Sequence, residues 1–193
     1  MKANLILLAL FLLCGQAYCQ SKNSLSLVFG AGSNAIGSIG IGGAGYQGKG
    51  ETIYGLNYSR NLTKSFSIET GLEYSVNNVL WDYEDAFDPS FTPQKGSIRM
   101  LSVPVYANFT FLKYLFANAG IIADFETNYH SYSITPNQSG IGLGAGIGGK
   151  YNFNSMTVFI NPFLQWHAIV AAQNEGSGSL FDAGVKVGIG YRF

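Results

Sequence analysis

The segment FSIETGLEYSV alternates without a break: Phe66, Ile68, Thr70, Leu72, Tyr74 and Val76 share one parity, and Ser67, Glu69, Gly71, Glu73 and Ser75 share the other. A period of two puts the first set on one face of a β-strand and the second on the opposite face. The C-terminal segment repeats the scheme, with Phe181, Ala183, Val185, Val187, Ile189, Tyr191 and Phe193 against Asp182, Gly184, Lys186, Gly188, Gly190 and Arg192. A third segment sets glycines 140, 142, 144, 146 and 148 against Ile141, Leu143, Ala145 and Ile147. Such strands outrun the usual soluble strand of about 5–6 residues and match the ~9–11 that cross a bilayer at a tilt. Noisier alternation predicts strands over 25–32, 52–60, 98–109, 114–126 and 156–167, which makes eight.

The connections predicted between them alternate in length. Short ones fall at 61–65, 110–113 and 152–155, and long ones at 33–51, 78–97, 127–139 and 168–179. Short turns at one end and long loops at the other are the layout of an outer-membrane barrel with both termini in the periplasm. A sheet in lipid must close, because lipid offers its edge amides no partner. The predicted fold is therefore all-β: an eight-stranded antiparallel up-and-down transmembrane β-barrel. Aromatic pairs beside the short turns, Tyr58 with Phe66, Phe109 with Tyr114, Tyr151 with Phe153 and Tyr191 with Phe193, would form its periplasmic girdle. The alternative is a soluble β-sandwich, whose strands also alternate. Pro104 and Pro162 interrupt two of the strands and cannot donate to a ladder, so bulges or strand ends are expected there.

The N-terminus changes the picture by naming a compartment. MKANLILLALFLLCGQAYCQ has one lysine, a short apolar stretch and an Ala17-Tyr18-Cys19 cleavage-like site, which predicts a signal peptide over 1–19 and a barrel domain over 20–193. Leu13 before Cys14 and Tyr18 before Cys19 do not fit a lipoprotein site. Both cysteines fall in the removed segment, so the mature chain is expected to carry no disulfide and no cysteine metal site. The chain has eleven basic and eleven acidic residues, so losing Lys2 leaves a net charge of about −1. With no basic stripe, nucleic acid is excluded as a partner. Charged residues are scarce at 11% and aromatics abundant at 15%, yet after the signal no apolar run approaches the ~18 residues of a transmembrane helix. The expected location is the Gram-negative outer membrane, as a monomer among its lipids.

An eight-stranded barrel has an interior just wide enough for its own side chains, so a filled lumen is expected in place of a porin channel. Charge near the lipid midplane costs up to about 2–4 kcal/mol. Glu69, Glu73, Arg99, Asp182 and Lys186 are therefore assigned to an interior polar core. The glycine run GIGLGAGIGGKY matches parts of two phosphate-loop patterns, but Tyr151 replaces the Ser or Thr of a P-loop and no helical period follows. Its glycines are read as room for side chains from opposite strands. The loop VLWDYEDAFDPSFTPQKG interleaves Trp81, Tyr83, Phe87 and Phe91 with Asp82, Glu84, Asp85 and Asp88. Exposed aromatics mark contact surfaces, so this is the candidate loop for an extracellular protein or glycan partner. Its carboxylates could gather calcium, though without EF-hand spacing. No cofactor is indicated. The catalytic candidates are His130 with Ser131 or Ser133, and His167 near Glu175, in or beside outer loops.

The last residues, VKVGIGYRF, resemble the C-terminal signal of outer-membrane barrels, which the barrel-insertion machinery recognises. Val187, Ile189, Tyr191 and the terminal Phe193 carry the match. RMLSVPVYANFTFLKYLFANAGIIADF resembles the Y-L-x-I-P-(apolar) strand and the following A/G-G strand of the Bacteroidetes-type, PorT-like outer-membrane β-barrel family, through Leu101, Val103, Pro104 and Val105 and through Ala119 and Gly120. The resemblance implies a small barrel in which Pro104 is ordinary, and an accessory role in secretion. The function expected is non-catalytic: envelope integrity, surface interaction or secretion accessory. The alternatives are a lipid A-modifying enzyme, as some barrels of this size are, and a narrow channel.

Overall fold

The computed structural model describes residues 22–37, 46–81, 93–129, 135–172 and 178–193. They form eight strands: β1 Asn23–Gly37, β2 Tyr46–Asn61, β3 Phe66–Trp81, β4 Gln94–Phe111, β5 Leu115–Glu126, β6 Gly140–Phe153, β7 Met156–Ala171 and β8 Ser179–Arg192. Each pairs antiparallel with its neighbours in sequence, and β1 also pairs with β8, so the barrel closes and no edge is left. The two ends of the barrel chain meet at the short-turn rim, where Asn23 and Phe193 exchange backbone hydrogen bonds of 3.1 and 2.9 Å. The signal-peptide segment lies outside the described residues.

Parity decides which way each side chain points. On β3 the odd residues Ser67, Glu73, Ser75 and Asn77 are buried in the lumen, while Phe66, Ile68, Leu72 and Tyr74 are exposed outside. The outer face of the barrel is a continuous apolar band, including Leu27, Phe29, Leu56, Ile121, Leu143, Ile147, Ile160, Leu164, Val187 and Ile189. Aromatic rings bound it at both heights. At the turn side, Tyr114 stacks on Tyr151, Tyr151 on Phe153, and Tyr191 on Phe193. At the loop side stand Tyr54, Tyr74, Phe125, Trp166 and Phe181, all exposed and joined through cross-strand registers. From Phe66 to Tyr74 on β3 is about the nine residues that a tilted strand needs to cross.

Above the loop-side belt the strands continue and the pattern inverts. Val79, Ile98, Met100 and Leu180 form a buried apolar cluster inside the barrel, with Ile36 packed against it, while Lys95 and Arg99 point outward. This upper section is built like a soluble barrel, apolar within and polar without. It takes in Ile36, Val79 and Lys95, which the sequence pattern placed in loops, because the reversal of phase there conceals the strand, whereas Ile98 and Met100 fall within the predicted strand 98–109.

The prolines are accommodated without a bulge or a strand end, contrary to expectation. Beside Pro104 the β3–β4 pairing lapses between Thr70↔Val105 and Glu73↔Ser102, then resumes in the same register. Beside Pro162 the β6–β7 pairing lapses between Gly146↔Phe163 and Gly149↔Ile160 and also resumes unchanged. Each proline withholds one N–H from one neighbour, and the remaining ladder holds the register. The real irregularities lie elsewhere. One is in β2 between Gly48 and Glu51, where Gly50 has φ +104° and donates its N–H to Asn34 Oδ1 at 3.0 Å. The other is in β7, where His167, Ala168 and Ile169 stand opposite the single Gly142.

Candidate functional site

The lumen is organised in layers, and each exists because inward residues from neighbouring strands share a height. In the middle layer, Lys186 of β8 reaches across to Glu73 of β3 with Nζ–Oε2 at 2.6 Å, and both are buried. Asn57 Nδ2 donates to Glu73 Oε1 at 3.2 Å, and the Lys186 ammonium lies 4.8 Å from the Phe163 ring centroid. Beside this pair Tyr106 accepts a 2.9 Å hydrogen bond from Gln165 Nε2. The phenol fits because Gly144 faces it: a Cβ there would fall against the Tyr106 hydroxyl. Gly148 makes room in the same way for the Phe116 ring. The glycine face of β6 is thus occupied by side chains from β4 and β5, with no cradle left for a phosphate.

The layer above, level with the loop-side aromatic belt, centres on His167. The β7 bulge places Ala168 at φ +49° and turns both His167 and Ala168 inward. Bulges of this kind re-aim a side chain. Here His167 is set between two carboxylates: Nδ1 is 2.9 Å from Asp124 Oδ2, and Nε2 is 3.1 Å from Asp182 Oδ2. The second contact has ion-pair distance without hydrogen-bond alignment, and no donor is aligned on either Asp182 oxygen. Ser102 Oγ donates to Asp124 Oδ1 at 2.6 Å. Glu51 lies against Asp182, and Gly32, its partner on β1, puts no side chain between them. Both Glu51 oxygens are buried without a hydrogen-bond donor.

Chemically this cluster is a charge network more than a catalytic constellation. Ser102 is bound to the carboxylate and is not presented to the imidazole, so a Ser–His relay is not assembled. Among the described residues no group of three or more His, Cys, Asp or Glu is placed to hold a metal ion. Over it sits the apolar cluster of Val79, Ile98, Met100 and Leu180, and over that Gln138, fully buried. Gln138 donates its side-chain amide to the Pro136 and Gly178 carbonyls at 3.0 Å each and accepts from Leu180 N at 2.8 Å, tying two loops together across the top. Its own N–H goes to Glu126 Oε2 at 2.8 Å.

Of the residues assigned to the polar core, Glu69, Glu73, Asp182 and Lys186 face the lumen. Arg99 does not: it is an outward residue of β4, exposed, one step above the belt formed by Tyr74, Leu101 and Phe125. The expectation assumed the cost of a midplane charge, whereas Arg99 stands beyond the loop-side aromatic belt, and such belts mark the level at which that cost falls and a long basic side chain reaches water. His167 lies in the lumen, not beside an outer loop, and its partners Asp124, Asp182 and Glu51 come from three other strands, so no local spacing announced them. Trp81 ends β3. Asp82, Tyr83, Glu84, Asp85, Phe87, Asp88 and Phe91 lie outside the described residues, as do His130, Ser131, Ser133 and Glu175. Val187, Ile189, Tyr191 and Phe193 form one exposed outward row at the closing strand.

A scan against protein-family models finds no match, and a search of curated proteins finds none. Solved structures do match. The outer membrane protein OprG of Pseudomonas aeruginosa superposes with a TM-score of 0.55 at 15% identity, over 90% of this chain and 97% of that one. The attachment invasion locus protein Ail of Yersinia pestis gives 0.48 at 14%, over 89% and 99%. The N-terminal β-barrel domain of Pseudomonas aeruginosa OprF gives 0.42 at 15%, over 91% and 100%. The likeness to OprG shows the fold, that of a small outer-membrane β-barrel.

Proposed function

We propose that this chain is an integral outer-membrane protein that conducts nothing through its lumen and acts, without catalysis, at its rims. The observation that carries this reading is the closure of the barrel from within: the Ile36, Val79, Ile98, Met100 and Leu180 layer under Gln138, with the buried Glu73–Lys186 pair below. Among the described residues, this apolar layer over the Glu73–Lys186 pair is what supports a lumen without a continuous aqueous path. The short-turn rim, with both barrel ends, is the periplasmic one, and the long-loop rim faces outward. The resemblance to the PorT-like family favours an accessory role in secretion within this class, and the 78–97 segment, with the interleaved aromatics and acids that begin at Trp81, is the partner-binding loop. Reconstituted into a planar bilayer, the protein is expected to show no discrete conductance steps; steps from the wild-type barrel would overturn the closed-lumen reading. Deleting the gene is expected to leave the lipid A mass spectrum unchanged, and a changed spectrum would return the enzyme reading.

A further inference from the structure

Below the sealed layers, the turn-side end of the lumen holds a cavity of about 100 Å³ that the reading above leaves without a role. Its charges are arranged across it. Deep in the cavity is Glu69, level with Ser59 and Tyr106; its carboxylate accepts from Asn57 Nδ2 at 3.1 Å and Asn108 Nδ2 at 3.4 Å. Among the described residues no cation pairs with it directly. Nearer the mouth are Lys150 and Arg192. Lys150 Nζ donates to Thr110 Oγ1 at 2.7 Å and stands 5.8 Å from the Phe116 ring centroid, and among the described residues no second acceptor takes its other N–H groups. Arg192 donates from Nη2 to the Asn154 carbonyl in the β6–β7 turn, while its buried Nε–H has no partner. Lys150 lies close enough to feel the charges of both Glu69 and Arg192.

The neutral groups repeat the pattern of unmet demand. Asn57 Oδ1 and Asn161 Oδ1 are buried acceptors without a donor. Phe116 and Phe159 meet edge to face, with centroids 6.4 Å apart, and give the cavity one apolar wall. A closed lumen serving only as a plug has no need of this: elsewhere in the same barrel, opposite charges meet directly, as Glu73 and Lys186 do. Here an acid and two bases line one cavity without a direct ion pair among the described residues.

We infer that this cavity is a binding site for a small zwitterion of the α-amino-acid class, with its ammonium toward Glu69 and the Asn57 and Asn161 carbonyl oxygens and its carboxylate toward Lys150 and Arg192. The size agrees. An engineered cavity of about 150 Å³ holds the six heavy atoms of benzene, so about 100 Å³ with an open mouth suits roughly five or six at most: glycine or alanine, with the α-carbon against the phenylalanines. The orientation proposed above makes the periplasm the side from which it fills, but binding itself does not depend on that orientation or on the barrel's failure to conduct.

The test is a titration of the refolded full-length barrel, in detergent and with its heat-dependent gel mobility intact, with ¹³C-glycine followed by NMR. So few ligand atoms place the affinity in the micromolar to millimolar range, so the titration runs to about 10 mM. Glycine is expected to saturate and to be displaced by alanine, with acetate and methylammonium each at least tenfold weaker. Glu69→Gln and Lys150→Gln are each expected to weaken glycine about ten- to a hundredfold, the loss of one charge-assisted contact. No saturation by the folded wild type overturns the site; acetate binding as well as glycine overturns the zwitterion assignment. Unchanged affinity in both variants overturns the placement, and should the variants not fold, the wild-type competition series decides alone.

Discussion

At the scale of the residue, the lumen is a set of buried polar contacts each of which is costly to break singly. Lys186→Met is the sharpest case, because it leaves the Glu73 carboxylate buried with only Asn57 to hold it. Removing one partner of a buried pair costs about 3–5 kcal/mol, whereas removing both charges together is far milder. Urea titration of the detergent-folded barrel should therefore show a large loss for Lys186→Met and recovery of most of it in Glu73→Gln/Lys186→Met. Glycines divide by what faces them. Gly144→Ala drives a methyl against the Tyr106 hydroxyl and breaks the Gln165 bond, for an expected loss of about 1–3 kcal/mol. At Gly149 the nearest atoms to a new Cβ are 3.9 and 4.0 Å away, and the same change should stay within about 0.5 kcal/mol. Equal effects at the two sites would refute the assignment of the glycine face to side-chain accommodation. Parity alone was enough to put Glu69, Glu73, Asp182 and Lys186 on one face. It was also enough to put Arg99 on the other, but charge overrode parity in the reading because height along the strand is not visible in a single segment.

At the scale of the element, the telling strand is β7. Its first eleven residues follow the alternation, and then two extra residues enter opposite Gly142 and swing His167 between Asp124 and Asp182. Ala168 holds the left-handed conformation that makes this possible. A β-branched residue is a poor fit to positive φ, so Ala168→Val should cost about 1–2 kcal/mol, while Ala145→Val on the lipid face of β6 should be nearly neutral. Both follow from the same urea titration, and a neutral Ala168→Val would mean that the bulge is not held where the structure has it. This is also where the sequence became opaque. Strand existence and direction are local properties carried by period two, and they were legible. A bulge shifts the period by a count that nothing local marks, and the cluster it serves draws on β2, β5, β7 and β8, which only closure brings together. The upper ends of β3 and β4 were opaque for a different reason. Where the barrel leaves the membrane, the lipid no longer demands an apolar outer face, so Val79, Ile98 and Met100 turn inward and the pattern changes phase.

At the scale of the whole molecule, these phases divide the barrel into a membrane section, apolar outside, and an upper section, apolar inside. The two have different solvents and so different vulnerabilities. In the membrane section the strands pair around a closed ring, with lapses beside Pro104 and Pro162, and lipid or detergent covers the outer face. Denaturant must break the ring as a unit, which is why such barrels keep their fold in detergent until heated. The upper section is held by ordinary burial of an apolar cluster and by Gln138. Added protease should therefore act on one side only. On intact cells, cleavage is expected within 82–92 and not in the short turns at 62–65, 112–114 or 154–155, and the cut protein, run unheated, should still migrate as a folded barrel. Mass spectrometry of the released peptides reads the first expectation, and gel mobility before and after boiling reads the second. Cleavage at the short turns of intact cells would invert the orientation, and would put the cavity of Glu69, Lys150 and Arg192 on the outer surface.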